Sequence, residues 1–306
     1  MKVLLPIIYH DLTRCIELAF IDAGHEVRVV DWRKHGKEHH KHKVEPMVIR
    51  EAYDFRPDLA FCQFQAPGLI TPRLPMELAR LGCFSINWSG DVRHPLPEWY
   101  KECAPHFSVT SFTNMPDVEE IRSMGHRAEF LQIGYEPELY FTADGQRSGV
   151  VFIGNNYGGY KYAESSTRRD MVQALHEAFG EAFAVYGMSW EQYGGTYVRE
   201  PGDAEILRGS LVAVGMDHFF RAGFASDRLT RATACGCAVV QWHYDGIEQE
   251  HPHVIAVRSL DEMVNKVSAL LGNPDEARRL GALNAANTLA NHRWDNRVKQ
   301  IEQWLT

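Results

Sequence analysis

The most chemically informative residues of this chain are arginines and small polar residues that follow apolar segments. Arg228 and Arg231 stand three residues apart in SDRLTRATACGCAVV, residues 226–240. Ser226 or Asp227 can cap a helix here, so Arg228 falls in its first turn. A helix N-terminus can bind phosphate, and a guanidinium adds a planar, permanently charged fork. This stretch therefore predicts that Arg228 contacts a phosphate-bearing ligand.

A glycine-rich segment, VFIGNNYGG at residues 151–159, predicts a second contact with the same ligand. A backbone without side chains can approach a ligand closely and offer N–H groups. Arg168 and Arg169 fall in the first turn of the next helix, where cations are unfavourable unless an anion is near. The dinucleotide fingerprint and the P-loop are both absent, which disfavours a nicotinamide enzyme. The predicted contacts are Gly154, Asn155, Asn156, Tyr157 and Arg168.

Two further strand ends complete this group of candidates. VYGMSW places Tyr186, Gly187 and Trp190 after a strand, where flat groups and backbone amides suit a nucleobase. Packing of Trp190 on its own domain explains the pattern equally well. AVGMDHF places Asp217 in the loop after another strand.

In the first half of the chain, INWSGDVRHP is the informative strand end. Asp91 lies in the turn after the strand, where a carboxylate can take a proton from an acceptor hydroxyl. The alternative is that Asp91 only caps the turn. Trp88, Arg93 and His94 are the neighbouring candidates for acceptor contacts.

The elements that position these residues alternate between strands and helices with short connections. This pattern predicts α/β folding, with two facing Rossmann-like, doubly wound parallel sheets and a cleft between them. The predicted domains are residues 1–143 and 148–292, joined by a linker within 135–149, and the last helix, 293–306, packs back on the first domain. Ligands of such sheets bind beyond the carboxyl ends of the strands, where the candidate residues lie.

Composition narrows the function classes. The 306 residues carry a formal net charge of -8, which disfavours nucleic acid as a partner without excluding a local basic groove. No apolar run reaches the length of a membrane span and the start does not resemble a secretory signal, so we expect a cytoplasmic protein with reduced thiols. Cys235 and Cys237 cannot close a metal site alone, so we expect a helix exit there. The histidine-rich stretch 35–43 is consistent with a solvated loop or, alternatively, with a grip on an acceptor.

The second half resembles a known family through several motifs in one order. They are FIGNNYG, RRDMVQAL, AVYGMSW, SDRLTRATACGCAVVQ, LDEMVNKVSALLGNPDEARRLG and HRWDNRVKQIEQWL. This series is similar to the carboxyl-terminal domain of GT-B glycosyltransferases, and most similar to the CgeB-like (spore-maturation-protein-like) branch. The first half matches mainly in layout and in NWSGD.

The resemblance implies a nucleotide-diphosphate sugar bound by residues 148–292 and an acceptor bound by the first domain. Gly154, Asn155, Asn156, Tyr157, Arg168 and Arg228 would then face the diphosphate, with Tyr186, Gly187 and Trp190 near the base. Such enzymes usually need no metal, because helix ends and arginines neutralise the diphosphate. One residue departs from the pattern: Arg231 stands where relatives have a glutamate that accepts ribose hydrogen bonds. A guanidinium only donates, so three alternatives are open: Asp217 or Asp245 recognises the ribose, the donor is unusual, or the site is impaired.

The sequence therefore predicts a metal-independent glycosyltransferase that needs no cofactor, with a UDP-sugar favoured as the donor. The acceptor is open among glycans, proteins, small molecules and a modified DNA base. Arg231 motivates the alternative of a non-catalytic nucleotide or glycan binder on the same fold. A two-domain binding protein or a sugar-phosphate isomerase is the third alternative.

Overall fold

Two compact units make up the fold. A computed structural model describes residues 1–8, 14–34, 38–93, 95–158, 162 and 164–305. Unit 1 consists of Met1–Ile133 and Trp294–Thr306, and unit 2 of Gly134–Arg293. Each unit is built on one parallel sheet, which confirms the predicted α/β fold with two Rossmann-like domains.

The sheet of unit 1 has six parallel strands in the order β2-β1-β3-β4-β5-β6. Its strands are β1 (Lys2–Ile7), β2 (Glu26–Asp31), β3 (Leu59–Cys62), β4 (Phe84–Ser89), β5 (Val109–Phe112) and β6 (Ala128–Phe130). The helices of its first segment are α1 (Arg14–Asp22), α2 (Val44–Phe55), α3 (Arg73–Arg80), α4 (Glu98–Cys103) and α5 (Met115–Ser123). Central strands such as β3 are buried at every residue, because helices cover both faces of a parallel sheet.

The sheet of unit 2 has five parallel strands in the order β11-β10-β9-β7-β8. They are β7 (Ser148–Ile153), β8 (Phe183–Tyr186), β9 (Ser210–Gly215), β10 (Ala238–Trp242) and β11 (Ile255–Val257). The helices are α6 (Ser165–Phe179), α7 (Gly202–Gly209), α8 (Asp227–Ala234), α9 (Ile247–Glu250), α10 (Leu260–Gly272) and α11 (Pro274–Asn291). Because β7 and β9 are neighbours, the loops that follow them lie side by side.

The last helix, α12 (Trp294–Gln303), belongs to unit 1 and packs beside α1. Its Trp294 ring meets the Trp88 ring edge to face at 5.3 Å between centroids. His25 bonds Glu302 through Nε2 at 3.1 Å. The end of the chain therefore completes the core under β4.

The structure differs from the sequence prediction in three places. The helices α4 and α9 were not predicted. Residues 134–147 belong to unit 2, and Tyr140 is buried there with its hydroxyl donating to Asp203 at 2.8 Å, whereas the sequence suggested a linker. In the histidine-rich stretch, residues 38–43 form a short 3-10 helix, and residues 35–37 lie outside the described residues.

Candidate functional site

A pocket lies at the carboxyl ends of the central strands of unit 2. Its floor is apolar and consists of residues from β7, β9, β10 and α8. The polar groups on its wall are Asp203, Asp217, Ser226, Arg228, Arg231 and Gln241. An apolar pocket with a few convergent polar groups is the usual form of a small-molecule site.

Arg228 is the arginine of this pocket that is accessible to a ligand. It lies in the first turn of α8, and Ser226, the N-cap residue, makes no side-chain hydrogen bond to the helix. Arg228 Nη2 donates to Asp217 Oδ1 at 3.2 Å, and Gln241 Nε2 donates to Asp217 Oδ2 at 3.2 Å. The Arg228 side chain is 33% exposed, so donors remain available to an anion. Asp217 thus positions Arg228 as well as lining the pocket.

Arg168 is a second cation, and it is buried. Its guanidinium donates to the carbonyls of Asn155 at 3.2 Å and Met216 at 2.6 Å, at the ends of β7 and β9. Among the residues that the structure describes, it has no salt bridge to a carboxylate. Burial lowers its pKa to about 9, and the charge of Arg228 adds to that shift. A positive charge held at such cost favours the approach of an anion.

His218 lies against Arg168. Arg168 Nη1 contacts His218 Nε2, and His218 Nδ1 lies 3.4 Å from Ser165 Oγ. The imidazole also packs against the rings of Tyr157 and Tyr162, at centroid distances of 5.0 and 4.8 Å. Tyr157 accepts a hydrogen bond from Asn155 at 3.0 Å.

The loops after β7 and β8 are bonded to each other. Gly154 N donates to Tyr186 O at 2.8 Å, Asn156 N to Met188 O at 3.0 Å, and Met188 N to Asn155 Oδ1 at 2.9 Å. Asn156 Nδ2 donates to Ser189 O at 2.9 Å. The predicted ligand residues Asn155 and Asn156 therefore use their amides to join the two loops.

Gly187 is required by this close approach. Its φ is 141°, and a Cβ there would lie 2.2 Å from the carbonyl oxygen of Gly154. The glycine predicted as a ligand contact is thus needed for loop packing, whereas Tyr186 beside it stays half-buried at the loop surface.

Trp190 and Trp88 are core residues in the structure. Trp190 is 0% exposed, and its Nε1 donates to Gly154 O at 2.6 Å. Trp88 is 2% exposed, and its Nε1 donates to Leu131 O at 3.0 Å. Both indoles have their faces covered by protein, so the structure gives them a packing role in place of the predicted ligand contacts.

Arg231 is the centre of an ionic cluster. Its guanidinium binds Glu200 at 2.7 Å, Asp203 at 3.1 Å and Asp227 at 2.7 Å, and it lies over the Tyr140 ring at 5.0 Å. These partners come from the start of α7, from α8 and from the segment before β7. Arg231 therefore connects α8 to α7. It also lines the pocket, but the three carboxylates balance its charge.

In unit 1, Asp91 and Arg93 lie beyond the end of β4. The Asp91 side chain is 65% exposed and lies 3.3 Å from Arg93 Nη2, which also donates to Gln65 at 2.9 Å. The backbone N–H of Arg93 donates to Asp117 at 2.7 Å. Asp91 is thus open to a ligand, and Arg93 is held by residues that follow β3 and β4. His94 lies outside the described residues.

The described residues contain neither a metal-binding cluster nor a membrane-spanning helix. Within the described part of the chain, no group of three or more His, Cys, Asp or Glu side chains could hold a metal ion. Cys235 and Cys237 are free and buried, at the exit of α8 into β10. No described helix combines the length and apolarity needed to cross a bilayer.

Sequence reasoning missed several members of the site. Gln241, Glu200 and Asp203 were not candidates, and neither was His218, which lies in the AVGMDHF segment beside Asp217. The position of Gln241 near the end of β10 was an available signal for a strand-end group. Nothing in the sequence pairs Glu200 and Asp203 with Arg231.

Solved structures match this fold over nearly its whole length. Sucrose-phosphate synthase from Thermosynechococcus elongatus has a TM-score of 0.67 at 11% identity, covering 99% of this chain and 97% of that one. HepE of Anabaena, solved with UDP-glucose, has a TM-score of 0.67 at 11% identity, covering 100% and 99%. An E. coli trehalose-6-phosphate protein bound with UDP-2-fluoro glucose has a TM-score of 0.66 at 10% identity, covering 100% and 99%. The chain therefore has the α/β fold with two parallel sheets of GT-B glycosyltransferases.

One part of the chain also matches a protein family by sequence. Residues 167–303 match the family model described as Glycosyl transferase-like, a range that contains Arg168, the pocket wall and α8. No curated protein sequence matches the chain significantly. The CgeB-like branch suggested by the motifs stays a prediction.

Proposed function

We propose that this protein is a glycosyltransferase that transfers a sugar from a nucleotide-diphosphate sugar, and that unit 2 binds the donor. The observation that carries the proposal is the pair of cations at the strand ends: Arg228 lies on the pocket wall, and Arg168 is buried nearby and forms no salt bridge with the described residues. A diphosphate supplies the anion that this arrangement favours. The match of residues 167–303 to the Glycosyl transferase-like model supports the same reaction class.

The donor we propose is a UDP-sugar, because two structures of the same fold were solved with UDP-sugars. Arginines and the start of α8 would neutralise the leaving diphosphate, so the transfer would need neither a metal nor a cofactor. Asp91 is the proposed acceptor-side base, since its carboxylate is exposed at the carboxyl edge of the unit 1 sheet. The acceptor itself is not identified.

Binding of UDP-, GDP- and dTDP-sugars by calorimetry tests the donor site. We expect one of them to bind the wild type, and Arg228→Ala to weaken that binding on the order of 10- to 100-fold, the equivalent of one charge-assisted contact to phosphate. Arg199→Ala is the matched control, because Arg199 is an exposed arginine of the same unit that lies over the Tyr197 ring. No binding of any donor, or equal binding by the Arg228 variant, contradicts the proposal.

One observation favours a second candidate, a non-catalytic nucleotide binder. Arg231, at the position where the resemblance implies a ribose-binding glutamate, is fully engaged by three carboxylates. Release of the nucleoside diphosphate from a bound donor separates the two. Turnover that is lost in Asp91→Asn with unchanged donor affinity supports the enzyme, and donor binding without any turnover supports the binder.

A further inference from the structure

The contact between His218 and Arg168 fixes the protonation state of the histidine. A guanidinium has only donors, so His218 Nε2 must accept from Arg168 Nη1 through its lone pair. The ring proton then lies on Nδ1, which can donate to Ser165 Oγ at 3.4 Å. His218 is therefore neutral in the free protein, as the Nδ1–H tautomer.

Protonation of His218 in this state would place two cations in contact. His218 is 8% exposed and Arg168 is 1% exposed, so water screens their repulsion poorly. Arg168 already has its pKa lowered by burial and by the charge of Arg228. Further positive charge on the imidazole of the free site is therefore unfavourable.

The other charged or titratable groups that the structure describes around this contact lie at the start of α6, on α8, and in the loops after β7 and β9. Glu164, beside Ser165 at the start of α6, lies 3.6 Å from Arg221 of the loop after β9. Asp217 follows β9 and binds Arg228 of α8. The phenols of Tyr157 and Tyr162 are the titratable groups of the loop after β7 that meet the imidazole. Lys161 of that loop lies outside the described residues.

An anion bound at Arg228 offsets the positive charge of this site. The charge of Arg228 influences Arg168, so a diphosphate on Arg228 influences Arg168 and the imidazole that touches it. With two negative charges nearby, a positive imidazole becomes favourable.

We propose that binding of the donor diphosphate is coupled to uptake of one proton by His218. This inference rests on the proposed function. The proton comes from solvent and binds Nε2, while the Arg168 N–H that pointed at Nε2 turns to another acceptor. The imidazolium then adds a third positive charge to the diphosphate site.

The coupling also assists the transfer step. When the bond between the sugar and the diphosphate breaks, its electron pair stays on a phosphate oxygen, so the nucleoside diphosphate carries one more negative charge than it did in the donor. A charged His218 is stabilised further by this change. It therefore stabilises the developing leaving group more than the bound donor, which is the condition for lowering a barrier.

The test is the pH dependence of UDP-glucose binding. Its phosphates are diesters, so the ligand has no group that titrates between about pH 6 and 8. By linkage we expect the wild-type Kd to be about tenfold lower at about pH 6 than at about pH 8. His218→Gln keeps an oxygen acceptor for Arg168 without a titratable site, so its Kd should change less than about twofold over that range. His176→Gln, an exposed histidine of α6, should keep the wild-type slope.

Imidazole nitrogen NMR of the wild type gives a second measurement that does not depend on a variant. We expect a neutral Nδ1–H His218 in the free protein and an imidazolium in the complex at about pH 6.5. A wild-type slope retained in His218→Gln, or a charged His218 in the free protein, overturns the coupling alone. Failure of UDP-glucose to bind at any pH overturns the proposed UDP-sugar donor and the coupling with it.

Discussion

Replacement of Arg231 should destabilise unit 2, because the structure gives this residue three carboxylate partners. Arg231→Met keeps the aliphatic stem and removes the charge that Glu200, Asp203 and Asp227 share. The Asp203 side chain is 7% exposed, so loss of its charged partner costs about 1.5–3 kcal/mol. Glu200 and Asp227 are about a third exposed, at 32% and 35%, so each contributes at most about 1 kcal/mol. Together these losses predict a destabilisation of unit 2 by about 3 kcal/mol.

The pH dependence of the stability difference between Arg231→Met and the wild type tests whether the ionic cluster is its cause. Burial opposes ionisation of Asp227, but the charges of Arg231 and Arg228 hold its pKa below the ordinary value. Its contribution to stability is therefore present above the ordinary aspartate pKa and is lost as the pH falls through the lowered one. Burial raises the pKa of Glu200 although Arg231 opposes that shift, so Glu200 protonates earlier on acidification. The free energies of unfolding of the variant and the wild type should therefore converge as the pH falls from above the ordinary glutamate pKa to below the ordinary aspartate pKa.

Urea unfolding read by peptide-resolved hydrogen exchange over α7 and α8 separates unit 2 from unit 1. Arg279→Met is the matched control: Arg279 binds Glu276 on the exposed side of α11 in the same unit, and its replacement should leave the unfolding midpoint unchanged. Asp203→Asn in the Arg231→Met background should recover part of the loss, because it removes a charge left without its partner. An unchanged midpoint in Arg231→Met, or a loss that is the same at neutral and acidic pH, would refute the ionic explanation.

Two further predictions concern the loops and the thiols. Gly187→Ala should lose about 2–4 kcal/mol and release the amides of residues 154–156 to exchange, because its Cβ meets the Gly154 carbonyl. Gly180→Ala shares the positive φ but has open space around its Cβ, so a loss of only about 1–2 kcal/mol is expected, and equal losses would contradict the crowding argument. Burial raises the pKa of Cys83, Cys235 and Cys237 to about 12, and that of Cys103 to about 11. At about pH 8, a thiol reagent should therefore find no fast-reacting cysteine in the native protein and six after unfolding, and a fast native thiol would contradict this account.

The strands were the most predictable part of the fold. Their alternation with helices was expected from the sequence, because parallel strands buried on both faces form short apolar runs between turn signals. The helices α4 and α9 were missed because six and four residues are too few to establish a helical period.

The candidate site was only partly predictable. Arg228 and Arg168 were expected in the first turns of helices and Asp217 after a strand, since topology alone brings these helix starts and strand ends to one edge of the sheet. The cluster around Arg231 was not expected, because its partners are 28 to 91 residues away along the chain or hidden in its own helix. Burial of Trp190 was one of two explanations that its spacing allowed, and only the contact with Gly154 distinguishes them.

The position of α12 has a consequence for biosynthesis. The core of unit 1 includes Trp294, Val298, Ile301 and Trp304, which the ribosome adds only after all of unit 2. Until then, the apolar surface of α1 and β4 has no covering helix, whereas the contiguous residues of unit 2 have already been synthesised. At synthesis rates of about 5–20 residues per second, a nascent unit 1 waits roughly 8–32 s for its last helix, so the second unit can mature before the first. Chaperones that shield apolar surface during translation would therefore act on the amino-terminal half of this protein.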